Sequence, residues 1–173
     1  MPLILPEELD PVIAPVFAAL PLNRAMPSLL PADPAPAELL SLVQSVVGDP
    51  ALAPHLGVQA GLWLYVDELD KSHECSQALP GPTGCYWHAI MHRREGDFSN
   101  AKYWYRKAGA HPAMNKIDLA GGTAAGSDMA EYDALEFVDR VARADARHEP
   151  DSPDLVALQH HEWKALFEWC TEN

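Results

Sequence analysis

Apolar residues recur along this chain at helical spacing, and prolines and glycines cut the pattern into segments. Glu38 to Val47 is short and apolar on one side. Asp49-Pro50 is a helix start signal, with Asp as N-cap and Pro at the first helical position. Pro54 delays or bends a long helix that the spacing extends to about Leu79. Its stripe, Leu62, Val66, Leu69 and then His73, runs at steps of four, three and four. Pro80-Gly81-Pro82 is a hard stop. A helix from about Gly84 to Glu95 turns at Gly96-Asp97 into a partner from Ser99 to Ala108. Gly109 to Gly126 reads as a Gly/Ala-rich loop. Ser127 is expected to cap a helix running to about Arg147, with Ala134, Phe137, Val138 and Val141 as its inner stripe. Ser152-Pro153 opens a last helix whose inner face reads Val156, His160, Trp163, Phe167 and Cys170.

Nine prolines fall in the first 36 residues. Only short or broken helical turns fit there, as between Glu7 and Leu20, because proline inside a helix removes a hydrogen bond and clashes with the preceding turn. The apolar residues Val12, Ile13, Val16, Phe17 and Leu20 nevertheless predict that this segment packs on the body. No segment alternates with period two. The expected class is all-α: a compact, irregular helical bundle forming one domain over residues 1–173, a length that suits one ordinary domain.

Composition narrows the function classes. The formal net charge of −13 argues against general affinity for nucleic acid or anionic membrane, both of which need a basic footprint. No stretch approaches the roughly 18 apolar residues of a spanning helix, and the N-terminus lacks a basic n-region. The three cysteines, Cys75, Cys85 and Cys170, include no CxxC, so free thiols in a reducing cytoplasm are expected.

The chemistry concentrates in the run from Cys85 to Pro112, CYWHAIMHRREGDFSNAKYWYRKAGAHP. His88 and His92 are four apart and share one helical face. Two imidazoles at that spacing can grip one metal ion, and Glu95 lies beside His92, so His88, His92 and Glu95 form a candidate set for a divalent transition metal. Position 89 is Ala, which excludes the general base of an HExxH protease. His73 is the natural third member, with Asp70 three residues before it and Gln77 four after. A neighbouring carboxylate can fix an imidazole's tautomer and raise its pKa. His73, His88 and His92 are therefore the candidate catalytic residues, for metal-assisted or general acid–base chemistry. Arg93, Arg94, Lys102, Arg106 and Lys107 are five of the twelve basic residues. With Asp70, the first three of them form a candidate ligand-binding set for a small anion.

Gly96, Asp97, Phe98, Ala101, Tyr105 and Ala108 fall at the spacings of a tetratricopeptide turn and second helix, so residues 85–112 resemble a single tetratricopeptide hairpin. No second copy lies about 34 residues away, and a solenoid needs several stacked units. The resemblance implies one hairpin inside a bundle. It also implies that His88 and His92 occupy inward slots normally held by apolar side chains. The longer string YWHAIMHRREGDFSNAKYW, with DELDKSH upstream, resembles the hallmark of a family of small uncharacterised bacterial and fungal proteins, and that resemblance supplies no mechanism. Two functional expectations follow: a ligand-binding or enzyme-like domain with a His-rich, partly basic pocket, or a non-enzymatic interaction module built on the hairpin. The AGGTAAGS run from Ala120 to Ser127 lacks the Lys and the preceding strand of a phosphate loop and is expected to be a linker or lid.

Overall fold

Helices account for nearly all regular structure in the computed structural model, which describes residues 3–31, 33–117, 132–149 and 151–173. In chain order they are α1 (Asp10–Ala19), α2 (Ala37–Val47), α3 (Leu56–Tyr65), α4 (Leu69–Ala78), α5 (Pro82–Arg94), α6 (Phe98–Ala108), α7 (Ala134–Ala146) and α8 (Pro153–Glu172). Short 3-10 turns lie at Leu22–Arg24, Pro50–Leu52 and Pro112–Lys116. Among the described residues there is no strand, and the fold is all-α.

The expected long helix ending near Leu79 is two helices. α3 stops at Tyr65, and α4 starts at Leu69. The stop is a Schellman cap. Asp67 sits in the left-handed region at φ 60°, its amide donates to Leu64 O, and the Glu68 amide reaches back to Trp63 O. Gly96 ends α5 in the same way at φ 85°, with the Asp97 amide donating to His92 O. Aspartate is one of the few residues with a side chain that tolerates this conformation. Its carboxylate is gripped by Arg94 Nη2, and Arg94 Nη1 also donates to Ser28 O at 3.0 Å. α7 begins at Ala134, where Asp133 accepts from the amides of Leu135 and Glu136; the expected cap at Ser127 lies outside the described residues. So does the loop from Ala120 to Ser127.

α3 forms the centre of the core. Its backbone approaches α8 and α5 closely because Gly61 has no side chain. A Cβ there would lie 2.7 Å from the Phe167 ring and 3.0 Å from Trp87. Trp163 stacks on Phe167 at 4.5 Å and donates to Gly61 O at 3.0 Å. From the proline-rich segment, Phe17 packs edge-on against Tyr65, Trp163 and Phe167, and Ile13 and Val16 are fully buried. α1 continues through Pro15.

Behind α5 lies a sealed polar knot. Arg93 Nη2 is 2.6 Å from Glu162 Oε2 on α8, and both side chains are 0% exposed. Arg93 Nη1 donates to Tyr105 OH at 2.8 Å, and Tyr105 OH donates to Glu162 Oε1 at 2.6 Å. Tyr132 OH donates to the same carboxylate oxygen. The guanidinium lies 4.1 Å over the Phe137 ring. Burial and the carboxylate push both phenols well above their usual pKa. The knot fixes α5, and with it the two histidines on its other face, against α6 and α8.

Candidate functional site

Two tight corners bring three imidazoles together. His88 and His92 occupy one face of α5, and the α4–α5 corner sets His73 against them. At that corner Gly84 packs directly on the last turn of α4: a Cβ on it would fall 1.8 Å from Leu79 O and 2.9 Å from Ser76 O. The ring centroids of His73 and His88 are 4.4 Å apart, edge to face. Those of His88 and His92 are 5.0 Å apart and nearly parallel, and His73 and His92 are 5.6 Å apart. One ring nitrogen from each lies within 4.8 Å of the others. Tetrahedral zinc with bonds of about 2.0 Å holds its nitrogens about 3.3 Å apart, so ring rotations and small shifts would close the set.

Each imidazole has a different environment. His88 is 4% exposed and lies flat on Trp104, with centroids 4.1 Å apart and planes 10° from parallel. Burial, then the neighbouring His73, His92 and Lys107, lower its pKa to about 4. At neutral pH it is uncharged and offers a lone pair. His92 Nδ1 lies 2.5 Å from Glu95 Oε1, and Asn100 Nδ2 lies 3.1 Å from His92 Nε2. With the Nδ1 proton directed at the carboxylate, Nε2 is the acceptor, a tautomer assigned from these partners. His73 is half-buried at the mouth. The rings line a cavity of about 460 Å³, walled by Trp104 and Asn100 of α6, Gln77 of α4 and Cys85 of α5, with Pro80 and Gly81 at its rim.

Other candidates from the sequence lie elsewhere. Arg93 and Arg94 do not form an anion patch, because both are buried and committed to Glu162 and Asp67. Lys102 is paired with Asp139 of α7. Asp70 is exposed on the first turn of α4 and does not line the cavity. Glu95 stands behind His92 as its hydrogen-bond partner, and it also groups with buried His92 and exposed Asp97 in a second set. Sequence reasoning missed the roles of Asn100 and Trp104. Their signal was available, since they sit four apart on α6, beside the buried stripe of Ala101, Tyr105 and Ala108.

Two other imidazoles also have pKa values lowered from the usual histidine range. Burial lowers His111, which bonds Thr83 Oγ1 at 3.1 Å, and His160, which bonds Ala25 O at 2.7 Å. The unfolded chain therefore binds more protons below about pH 6.5, and stability falls as pH drops through that range. Going from pH 7 to pH 5 is expected to cost about 2 kcal/mol through His88 alone. Urea midpoints at the two pH values check this, and equal midpoints would contradict it.

No family model, no curated protein and no solved structure matches the chain. Among the described residues no helix is long and apolar enough to cross a membrane.

Proposed function

We propose that the protein binds a divalent transition metal between His73, His88 and His92 and uses the open side of that ion for chemistry on a small molecule in the α4–α5–α6 cavity. The observation that carries this reading is the convergence of three imidazole nitrogens from two helices within 4.8 Å, at the wall of a cavity. Packing alone accounts for it poorly. The three rings meet edge to face or stacked, with no hydrogen bond between any two of them among the described residues.

The donor set points to a class of ion. Neutral nitrogen ligands suit zinc, copper, nickel, cobalt or ferrous iron and disfavour magnesium or calcium, which prefer oxygen. Three protein ligands with an open position are the pattern of catalytic sites, where the ion polarises a bound oxygen. Glu95 on Nδ1 of His92 would orient that ring and raise its basicity. The Asn100 amide would have to release Nε2 before the ion could enter.

Untagged protein is expected to bind one equivalent of Co(II) or Zn(II), and Co(II) should show the visible bands of a tetrahedral site. Replacing any one of the three histidines by alanine should weaken binding about 100-fold or more. A titration showing no saturable binding, together with substoichiometric metal in the purified protein, would overturn the reading.

A further inference from the structure

A cavity of about 630 Å³ lies between the end of α1, the segment from 24 to 36, α2 and the end of α3, and it shares no lining residue with the histidine cavity. Its walls are mostly apolar, with Leu20, Met26, Leu39, Leu42 and Val66 among them. A space of this size and character suits a small molecule with an apolar body. One wall is held in a costly conformation. Met26 is 1% exposed and sits in the left-handed region at φ 44°, which a residue with a side chain adopts only when its surroundings impose it. Four hydrogen bonds from α5 and α8 impose it here. His160 Nε2 donates to Ala25 O at 2.7 Å, Gln159 Nε2 donates to Met26 O at 3.2 Å and to Ser28 O at 3.1 Å, and Arg94 Nη1 donates to Ser28 O at 3.0 Å. The cavity is therefore formed before any ligand arrives.

The polar groups of the lining say what such a molecule carries. The Tyr65 hydroxyl is already spent, donating to Leu20 O at 2.6 Å. Asp67 gives Oδ1 to Arg94, which is 0% exposed and does not line the cavity. The Asp67 side chain keeps 15% of its surface open, and no hydrogen bond reaches its other oxygen among the described residues. A carboxylate oxygen only accepts, so it calls for a donor. Burial raises the Asp67 pKa from its usual value despite the guanidinium beside it, so one cation does not fully compensate its charge. The exposed charges of the lining are Asp33, Glu38 and Arg24, and none of them is tied into an ion pair among the described residues. Counting Asp67, the lining sets three acids against one base, which favours a cation and repels an anion.

We infer that this cavity binds a small apolar amine, with its hydrocarbon body against Met26, Leu39 and Leu42 and its ammonium on the open oxygen of Asp67. No residue of the imidazole cluster takes part, so the amine site is independent of the metal reading.

The test compares octylamine, octanol and octanoate on the full chain at constant ionic strength, with ammonium chloride as the reference for charge alone. Binding is read from shifts in the two-dimensional amide NMR spectrum. Octylamine is expected to bind saturably and about tenfold or more tightly than octanol, with octanoate weaker still and ammonium without effect. Two variants locate the binding. Leu39→Trp fills the cavity from a half-buried position on α2 and should weaken octylamine about tenfold or more. Asp67→Asn keeps a side chain that tolerates the left-handed backbone and an oxygen that accepts from Arg94, and it should bring octylamine down to the affinity of octanol. Where Asp67→Asn fails to fold, Leu39→Trp and the comparison of amine with alcohol decide. No saturable binding of octylamine, binding that Leu39→Trp leaves intact, or octanol binding as tightly as octylamine overturns the inference. Octanoate binding most tightly, and lost in Arg24→Gln, also overturns it and assigns the cavity to a carboxylate held at its mouth.

Discussion

Glu162→Ala is expected to lower the unfolding free energy by about 3–5 kcal/mol. Glu162 and Arg93 are both 0% exposed, and the two phenols of Tyr105 and Tyr132 donate to the same carboxylate. Removing it leaves a guanidinium in the core with Tyr105 as its remaining hydrogen-bond partner among the described residues, and orphans two hydroxyl protons. The size of the loss measures the uncompensated charge, not the net worth of the ion pair. The double variant Arg93→Met with Glu162→Leu should recover much of it, because it removes both charges and keeps the volume. Urea unfolding of the parent, the two single variants and the double variant forms the cycle. A single-variant loss below about 1 kcal/mol would mean that water reaches Arg93, and the knot would then not be sealed.

That knot also shows where the sequence could be read and where it could not. The helical class was legible because apolar spacing and Pro/Gly punctuation are local signals. The His88 and His92 pair was legible for the same reason, since a separation of four on a helix fixes a shared face whatever the surroundings. Arg93 and Arg94 follow directly in the string and looked like part of a basic patch. Their partners, Glu162 and Asp67, are remote in sequence, and no local pattern marks an acid as the buried mate of a given arginine. His73 is the instructive case. Its spacing continues the stripe of Leu62, Val66 and Leu69, as it would on a single helix. That helix is broken at Asp67, where an aspartate does the work usually given to glycine, and the apolar phase happens to continue across the break. His73 meets the other two imidazoles because α4 turns back at the corner held by Arg94, and not because of the stripe.

The second corner makes the strongest test of how the fold sets the site. Gly84→Ala is expected to cost about 3 kcal/mol and to weaken metal binding more than tenfold, although no proposed ligand is touched. The new methyl would fall 1.8 Å from Leu79 O and 2.9 Å from Ser76 O, both backbone atoms that no rotamer change can move. The last turn of α4 must therefore shift off the first turn of α5, and His73 shifts with it. Gly61→Ala is the matched control. Its methyl would fall 2.7 Å from the Phe167 ring and 3.0 Å from Trp87. This overpacks the α3–α8 and α3–α5 contacts, at an expected cost of about 1–3 kcal/mol, and leaves the α4–α5 corner untouched. If loss of stability alone weakened the site, the two variants would lose Co(II) affinity in proportion to their destabilisation. If the corner aims His73, Gly84→Ala loses affinity well beyond that proportion while Gly61→Ala retains it under conditions where both remain folded. Parent-like Co(II) affinity in a folded Gly84→Ala variant would show that His73 finds its place without the corner, which would make α5 alone, through His88 and His92, the organising element of the cluster.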